Sequence, residues 1–279
     1  MTTVTLLHPG AMGSAVAAQA VAAGHEVLWV PERRSEATRR RAEEAGATAV
    51  GSLGEALRRS DVVLSVCPPQ AAEDVAATVA DHAYSGVYVD ANAINPQRMR
   101  RIAEEVRPGG VVLDGAIFGP PPRGDRTARL YLAGDGAAAD LVATLFQGTA
   151  VHVRKASGDV GSASALKMAF ASYQKAARTL AGVAHALADA HGVGDQLTAE
   201  AEVMASNILS DPAYLPSVAA RAWRWAHEMQ DIADTLREAG LPTDMAEAAA
   251  TVMARWERDK DRYDLAVPDV LAHLRRENR

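Results

Sequence analysis

Cysteine is almost missing from this 279-residue chain, where Cys67 stands alone. An intramolecular disulfide is excluded, and a reducing compartment is the simplest expectation. Positive charge is not in excess. The formal net charge of -6 argues against a general nucleic-acid binder. Long apolar runs are missing too, and the opening MTTVTLLHPG lacks a basic leader. Neither a signal peptide nor a membrane span is expected, so the chain reads as soluble and cytoplasmic, without a membrane partner. The eight histidines are scattered without ligand spacing, so no metal is expected. P-loop and G-x-S-x-G signatures are missing as well. Lysine is scarce: of 29 basic residues only Lys155, Lys167, Lys175 and Lys260 are lysine. In so arginine-biased a chain, each internal lysine invites a specific role. What is present is an ordinary globular composition, 48% hydrophobic and 23% charged, and enough length for a sizeable core.

The first half alternates strand and helix patterns. Strands are predicted at 4–7, 27–30, 61–66, 86–90 and 111–114, with helices at 11–23, 35–45, 71–80 and 96–106. Alternation at this spacing implies right-handed βαβ units and a parallel sheet, covered on both faces. A Pro120-Pro121-Pro122 turn precedes a strand at 128–133, a helix at 137–146 and a strand at 151–153. No strand is evident from Ser157 on. One long helix is predicted over 159–190, then helices over 199–209, 215–239, 243–260 and 268–277, broken at Gly240-Leu241-Pro242. The fold class is therefore α/β: a Rossmann-type parallel-sheet domain over 1–155, joined by the long helix to an all-α domain over 156–279. The Ala-rich faces of that helix need a partner surface, so a homodimer through the C-terminal helices is expected.

His8-Pro9-Gly10-Ala11-Met12-Gly13 lies where the first strand feeds the first helix. In a dinucleotide-binding turn, G-x-G-x-x-G/A, the middle glycine lets backbone approach a pyrophosphate and the last lets helix and strand pack closely. Gly10 and Gly13 match these two, while His8 stands at the first glycine and Pro9 restricts the turn. The alternative is an ordinary strand–turn–helix. After the second strand comes Glu32-Arg33-Arg34-Ser35. Glu32 would hold a ribose hydroxyl and favour NAD; Arg33, Arg34 and Ser35 would hold a 2′-phosphate. The balance favours NADP, with NAD as the alternative.

Several segments together resemble the β-hydroxyacid dehydrogenases, relatives of 6-phosphogluconate and 3-hydroxyisobutyrate dehydrogenases. Gly10-Ala11-Met12-Gly13 resembles their G-x-M-G turn, and Asp90-Ala91-Asn92 their D-x-S/T segment. Asp114-Gly115-Ala116-Ile117-Phe118-Gly119-Pro120 is similar to their substrate segment D-A-P-V-S-G-G. On the long helix, Gly161 and Lys167 match G-x-G-x-x-x-K-x-x-x-N, with Ala163 and Ala171 at the second glycine and the asparagine. A later K-D pair falls on His227-Glu228. The C-terminal half resembles a branch with a phosphogluconate dehydrogenase-type C-terminal domain. The resemblance implies a nicotinamide-dependent dehydrogenase or reductase in which Lys167 passes the proton. It also implies that Phe118 and Gly119 belong to the substrate loop, and that His227 orients substrate.

Lys167 stands out without the resemblance. No other formal charge occurs between Asp159 and Lys175, and its neighbours are small or apolar. Desolvation lowers a lysine pKa towards neutrality, where it can pass a proton; arginine cannot. The alternative is a lysine snorkelling from a helix face. Small residues Ser162, Ala163, Ser164 and Ala165 would let nicotinamide and substrate approach the helix. Asn92, at the carboxyl edge of the sheet, is a candidate for a substrate carboxylate or the nicotinamide amide, or a turn cap before Pro96. Cys67 and Pro68 read as packing beside the cofactor. Gln174, two turns beyond Lys167, could supply the amide lost at Ala171. Two further functions remain open: an imine reductase of the same architecture, and a dinucleotide-binding module without turnover. Imine reductases usually carry another residue at the Lys167 position.

Overall fold

The computed structural model describes residues 1–190, 192–203, 212–238 and 240–275. The chain divides into two compact units, Met1–Lys167 and Met168–Arg279.

The first unit is one eight-stranded sheet with helices on both faces. Its elements run β1 (Thr3–Leu7), α1 (Ala11–Ala22), β2 (Glu26–Trp29), α2 (Glu36–Glu44), β3 (Thr48–Ala49), α3 (Leu53–Arg59) and β4 (Val62–Ser65). They continue through α4 (Ala72–Ala80), β5 (Val87–Asp90), α5 (Pro96–Val106), β6 (Val111–Phe118), β7 (Ala128–Gly134), α6 (Gly136–Thr144) and β8 (Val151–Lys155). The order across the sheet is β3-β2-β1-β4-β5-β6-β7-β8. Successive strand residues feed opposite faces, so Val4 and Leu6 join one core with Val16 and Leu113, while Leu7 joins another with Tyr88, Met99 and Ile102.

The sheet is not wholly parallel. β6 pairs antiparallel with β7 from Leu113↔Gly134 to Phe118↔Arg129, whereas β7 and β8 are parallel. The strand predicted at 111–114 therefore runs on through Phe118, because β7 supplies the partners that its own pattern did not announce. β3 and α3 were not predicted. They span two and seven residues, too short to display a period.

α7 (Ser162–Ala190) begins in the first unit and continues into the second. It starts at Ser162 rather than 159 because Gly161 adopts a φ of +106°, which no helix allows. The second unit continues with α8 (Gly194–Glu202), α9 (Leu215–Glu238), α10 (Asp244–Met253) and α11 (Val267–His273). The helix expected at 199–209 starts instead at Gly194, and 204–211 lies outside the described residues, as do 276–277. Over 243–260 the α-helix stops at Met253 and tightens into a 3₁₀ segment, Ala254–Asp259. That segment buries Trp256, whose Nε1 donates to the Val270 carbonyl at 2.8 Å. A Cβ at Gly182 of α7 would lie 3.2 Å from the same ring, so glycine there lets the helix pass close. Among the described residues no helix is long and apolar enough to cross a membrane.

Candidate active site

β1 ends in the turn 8–13. A Cβ on Gly13 would sit 2.7 Å from the His8 carbonyl oxygen, so this position must be glycine for α1 to lie against β1. Nothing lies within 4 Å of a Cβ built on Gly10, so the backbone there is open to a ligand. No side chain caps α1, and its first turn holds no acidic residue. Ala11 is exposed and Met12 packs on the core. His8 takes the first glycine's backbone conformation, with φ +69°. The turn thus keeps its shape without the first glycine, at a cost that non-glycine residues usually avoid. Two arginines that the sequence pattern did not single out close on this turn. Arg41 of α2 donates to the Pro9 carbonyl at 3.3 Å, and Arg123 donates to Ser14 Oγ of α1 at 3.3 Å. Neither stands near the turn in sequence, so no local signal could have found it.

The β2–α2 loop faces the same edge. His8, Val30, Glu32, Arg33 and Arg34 line a cavity of about 360 Å³ with Leu53, Val75 and Thr78. Glu32 and Arg33 form an exposed ion pair at 3.6 Å. Arg34 is half-buried, and its Nε is buried without a hydrogen-bond partner, as is His8 Nδ1. Burial, and then the Arg34 charge, hold the His8 pKa down to about 4. Ser35 has a structural duty, because its side chain accepts from the Thr38 amide and caps α2.

Asn92 does not offer its amide to a ligand. Its Oδ1 accepts from the Cys67 amide at 2.7 Å, and its Nδ2 donates to Ser65 Oγ at 3.1 Å and Asp90 Oδ2 at 3.0 Å. With both N–H donors spent, Asn92 ties the ends of β4 and β5 together and fixes the Cys67-Pro68 wall. The cap before Pro96 is Asn95, whose Oδ1 accepts from the Arg98 amide. Asp90 is fully buried within this network, and burial raises its pKa to about 7. Pro68 is exposed, while Cys67 is buried and burial pushes its thiol up to about 11. In the native protein at pH 8, Cys67 should therefore resist an alkylating reagent that modifies it readily once the chain is unfolded. Equal rates in the two states would show the thiol to be accessible.

Lys167 is anchored through the sheet. The buried Asp114 carboxylate on β6 accepts from the Gly161 amide at 2.9 Å, the Ser164 amide at 3.0 Å and Ser164 Oγ at 2.6 Å. It thereby caps the start of α7. Burial pushes the Asp114 carboxyl up, against the pull of these hydrogen bonds. Ala163 packs against Ala116, Phe118 and Ala133. Ala163 and Ser164 thus dock the helix on the sheet rather than leaving room for a ligand, as their size alone suggested. One turn on, Lys167 Nζ donates to the Ile117 carbonyl at 2.8 Å and lies 4.9 Å from the centre of the Phe118 ring. Phe118 is buried and meets Tyr131 edge-on at 5.2 Å. Gly119 follows with φ +105°, and a Cβ there would strike the Thr127 carbonyl at 2.8 Å. The lysine thus sits at the carboxyl end of β6, held by Ile117 and Phe118.

The other two predicted positions lie in the second unit. Gln174 is half-buried on α7, and His227 is exposed on α9. Its neighbour Glu228 turns inward and pairs with the buried Lys175. Lys175 also lies 5.7 Å from the Trp225 ring centre. Among the described residues no group of three or more His, Cys, Asp or Glu side chains could hold a metal ion.

Two family models match the chain. One, described as NADP oxidoreductase coenzyme F420-dependent, covers residues 3–109. The other, a domain of unknown function (DUF1932), covers 188–256. No curated protein matches. A solved conserved protein of unknown function, described as structurally similar to 3-hydroxyacid dehydrogenases, is 26% identical over 92% of this chain and 97% of that one, with a TM-score of 0.70. A 3-hydroxyisobutyrate dehydrogenase from Mycobacterium tuberculosis, solved with L-serine, is 20% identical over 99% of this chain and 100% of that one, with a TM-score of 0.77. An imine reductase variant from Myxococcus stipitatus, solved with NAD+, is 20% identical over 98% and 99%, with a TM-score of 0.61. Fold and family model together define a nicotinamide-dependent oxidoreductase with a Rossmann-type sheet and a helical C-terminal part. In its two-domain architecture the chain is similar to the 3-hydroxyacid dehydrogenases.

Proposed function

We propose that this protein is an NADP-dependent reductase or dehydrogenase of a small hydroxy acid or carbonyl compound, with Lys167 as general acid and base. The carrying observation is the seat of the Lys167 ammonium, 2.8 Å from the Ile117 carbonyl and over the Phe118 ring. The residues present fit a dinucleotide. Gly10, Ala11, Met12 and Gly13 would face its pyrophosphate at an uncapped helix start, with Arg123 and Arg41 beside them. Arg33 and Arg34 would hold the adenosine-side phosphate, with Glu32 and Ser35 in the same loop. Cys67 and Pro68 would form a wall, kept in place by Asn92.

When bound, the nicotinamide supplies the hydride chemistry. The ammonium of Lys167 donates a proton to the substrate carbonyl oxygen during reduction, or its amine accepts the alcohol proton during oxidation. The Ile117 carbonyl aims that ammonium, and Asp114 fixes the helix turn that carries it. Phe118 and Tyr131 keep the floor beneath it apolar. That floor favours a substrate less polar than a simple hydroxy acid, and it is the observation that keeps an imine substrate as the second reading.

A homodimer, in a cytoplasmic setting, completes the proposal. Phe170, Tyr173 and Leu180 share one face of α7 and are 42%, 69% and 54% exposed, a stripe suited to a second copy of the chain.

The test is a screen of hydroxy acids, keto acids, aldehydes and cyclic imines with NADPH or NADH, read at the reduced-nicotinamide absorbance, with melting curves for each cofactor. NADPH should raise the melting temperature by binding only the native state. The double substitution Arg33→Ala, Arg34→Ala should erase much of that rise while leaving the NADH response nearly intact. Equal losses for the two cofactors would defeat the phosphate assignment, and no rise with either would defeat the cofactor reading.

A further inference from the structure

The turn contains a residue that a dinucleotide-binding fold does not ask for. His8 occupies the first glycine's position with φ +69°, a conformation that disfavours side chains with a Cβ. Its ring lines the cavity of about 360 Å³ next to Arg34. Each of these two lining residues also carries a buried polar atom without a hydrogen-bond partner, His8 Nδ1 and Arg34 Nε. A buried polar atom without a partner is costly, and two on neighbouring residues that line one cavity point to a ligand that draws both side chains into use.

We propose that His8 is a cofactor-binding and specificity-determining residue, whose imidazole joins Arg34 on the phosphate of a 2′-phosphorylated dinucleotide and takes up one proton from solvent as it does so. This rests on the cofactor reading above. Without ligand, His8 faces positive charge from Arg34, with Arg33 and Glu32 in the same loop and Arg41 reaching the Pro9 carbonyl from α2. Cys67, across from Arg34, keeps its proton, and Leu53, Val75 and Thr78 bring no charge. Burial first, and then the Arg34 charge, hold the ring neutral over the physiological range. A phosphate dianion reverses the local field and favours the imidazolium, which donates a ring N–H to a phosphate oxygen. A dinucleotide lacking that phosphate supplies no such field.

Calorimetric titration of the full chain with NADPH and with NADH, at pH 5.5, 6.5 and 7.5 in two buffers of different ionisation enthalpy, counts the protons taken up. The variants His8→Gly and His8→Asn suit the left-handed backbone and should fold. The titration of the phosphate itself, near pH 6, is common to all the proteins and cancels in the difference. The wild type should take up close to one more proton with NADPH than His8→Gly does. Its affinity should gain up to about tenfold per pH unit over the variant as pH falls. NADH should show little of either effect. His8→Asn should follow His8→Gly in pH dependence, since an amide cannot take the proton. In the wild type, the His8 ring signal in a nuclear magnetic resonance titration should move to a higher pKa when NADPH is added. Identical proton counts and pH profiles in wild type and His8→Gly, with NADPH still bound, would overturn the proposal alone. A folded wild type that binds neither cofactor would overturn it together with the reading beneath it.

Discussion

Replacing Lys167 by alanine should lower turnover by on the order of 10²–10⁴-fold, the usual loss when a positioned proton donor is removed. The melting-temperature rise caused by NADPH should survive, because Lys167 stands at the end of β6 and not in the turn after β1. The arginine variant separates charge from proton transfer. It keeps the cation over the Phe118 ring, yet a guanidinium does not give up its proton at neutral pH. Lys167→Arg should therefore be nearly as slow as Lys167→Ala. If arginine restored most of the rate, the role of position 167 would be electrostatic. Normal rates in both variants would remove Lys167 from the mechanism and leave a dinucleotide-binding module as the better description.

Asp114→Ala should produce the largest structural loss. It strips the acceptor from the Gly161 amide, the Ser164 amide and Ser164 Oγ, all at buried atoms. Unsatisfied buried donors cost roughly 1–3 kcal/mol each, and partial relaxation brings the expected total to about 2–4 kcal/mol. Denaturant midpoints would report it. The effect has a pH signature. Burial raises the Asp114 carboxyl pKa in the folded state, so the unfolded chain releases this proton first as pH rises. The wild type should lose stability over the interval above the ordinary carboxylate pKa, and Asp114→Ala should lack that contribution. Turnover should fall as well at temperatures where the variant stays folded, because the start of α7 no longer holds Lys167 against Ile117. A variant as stable and as active as the wild type would show that the helix start needs no carboxylate.

Much of the site can be read along the chain because its logic is local. Gly10 and Gly13 are spaced by the needs of one turn, and the structure gives each a separate reason: open space at one, a carbonyl 2.7 Å away at the other. Lys167 was visible as a lone cation in a small-residue helix. Asn92 shows the opposite case. An amide at a sheet edge looks available for a ligand until its partners, 25 and 27 residues away in sequence, are seen to occupy it. Arg41 and Arg123 reach the turn after β1 from 32 and 109 residues away, and no periodicity announces such contacts.

By itself the sequence determined the alternation of strands and helices, the glycine turn after β1 and the place of a lone lysine on the long helix, because each rests on spacing within one element. Tertiary structure alone decided the reversal at β6–β7, the cap that Asp114 places on α7, and the orphaned atoms of His8 and Arg34. These depend on which segments meet across the sheet, and hydrogen bonding and burial between distant residues leave no local pattern.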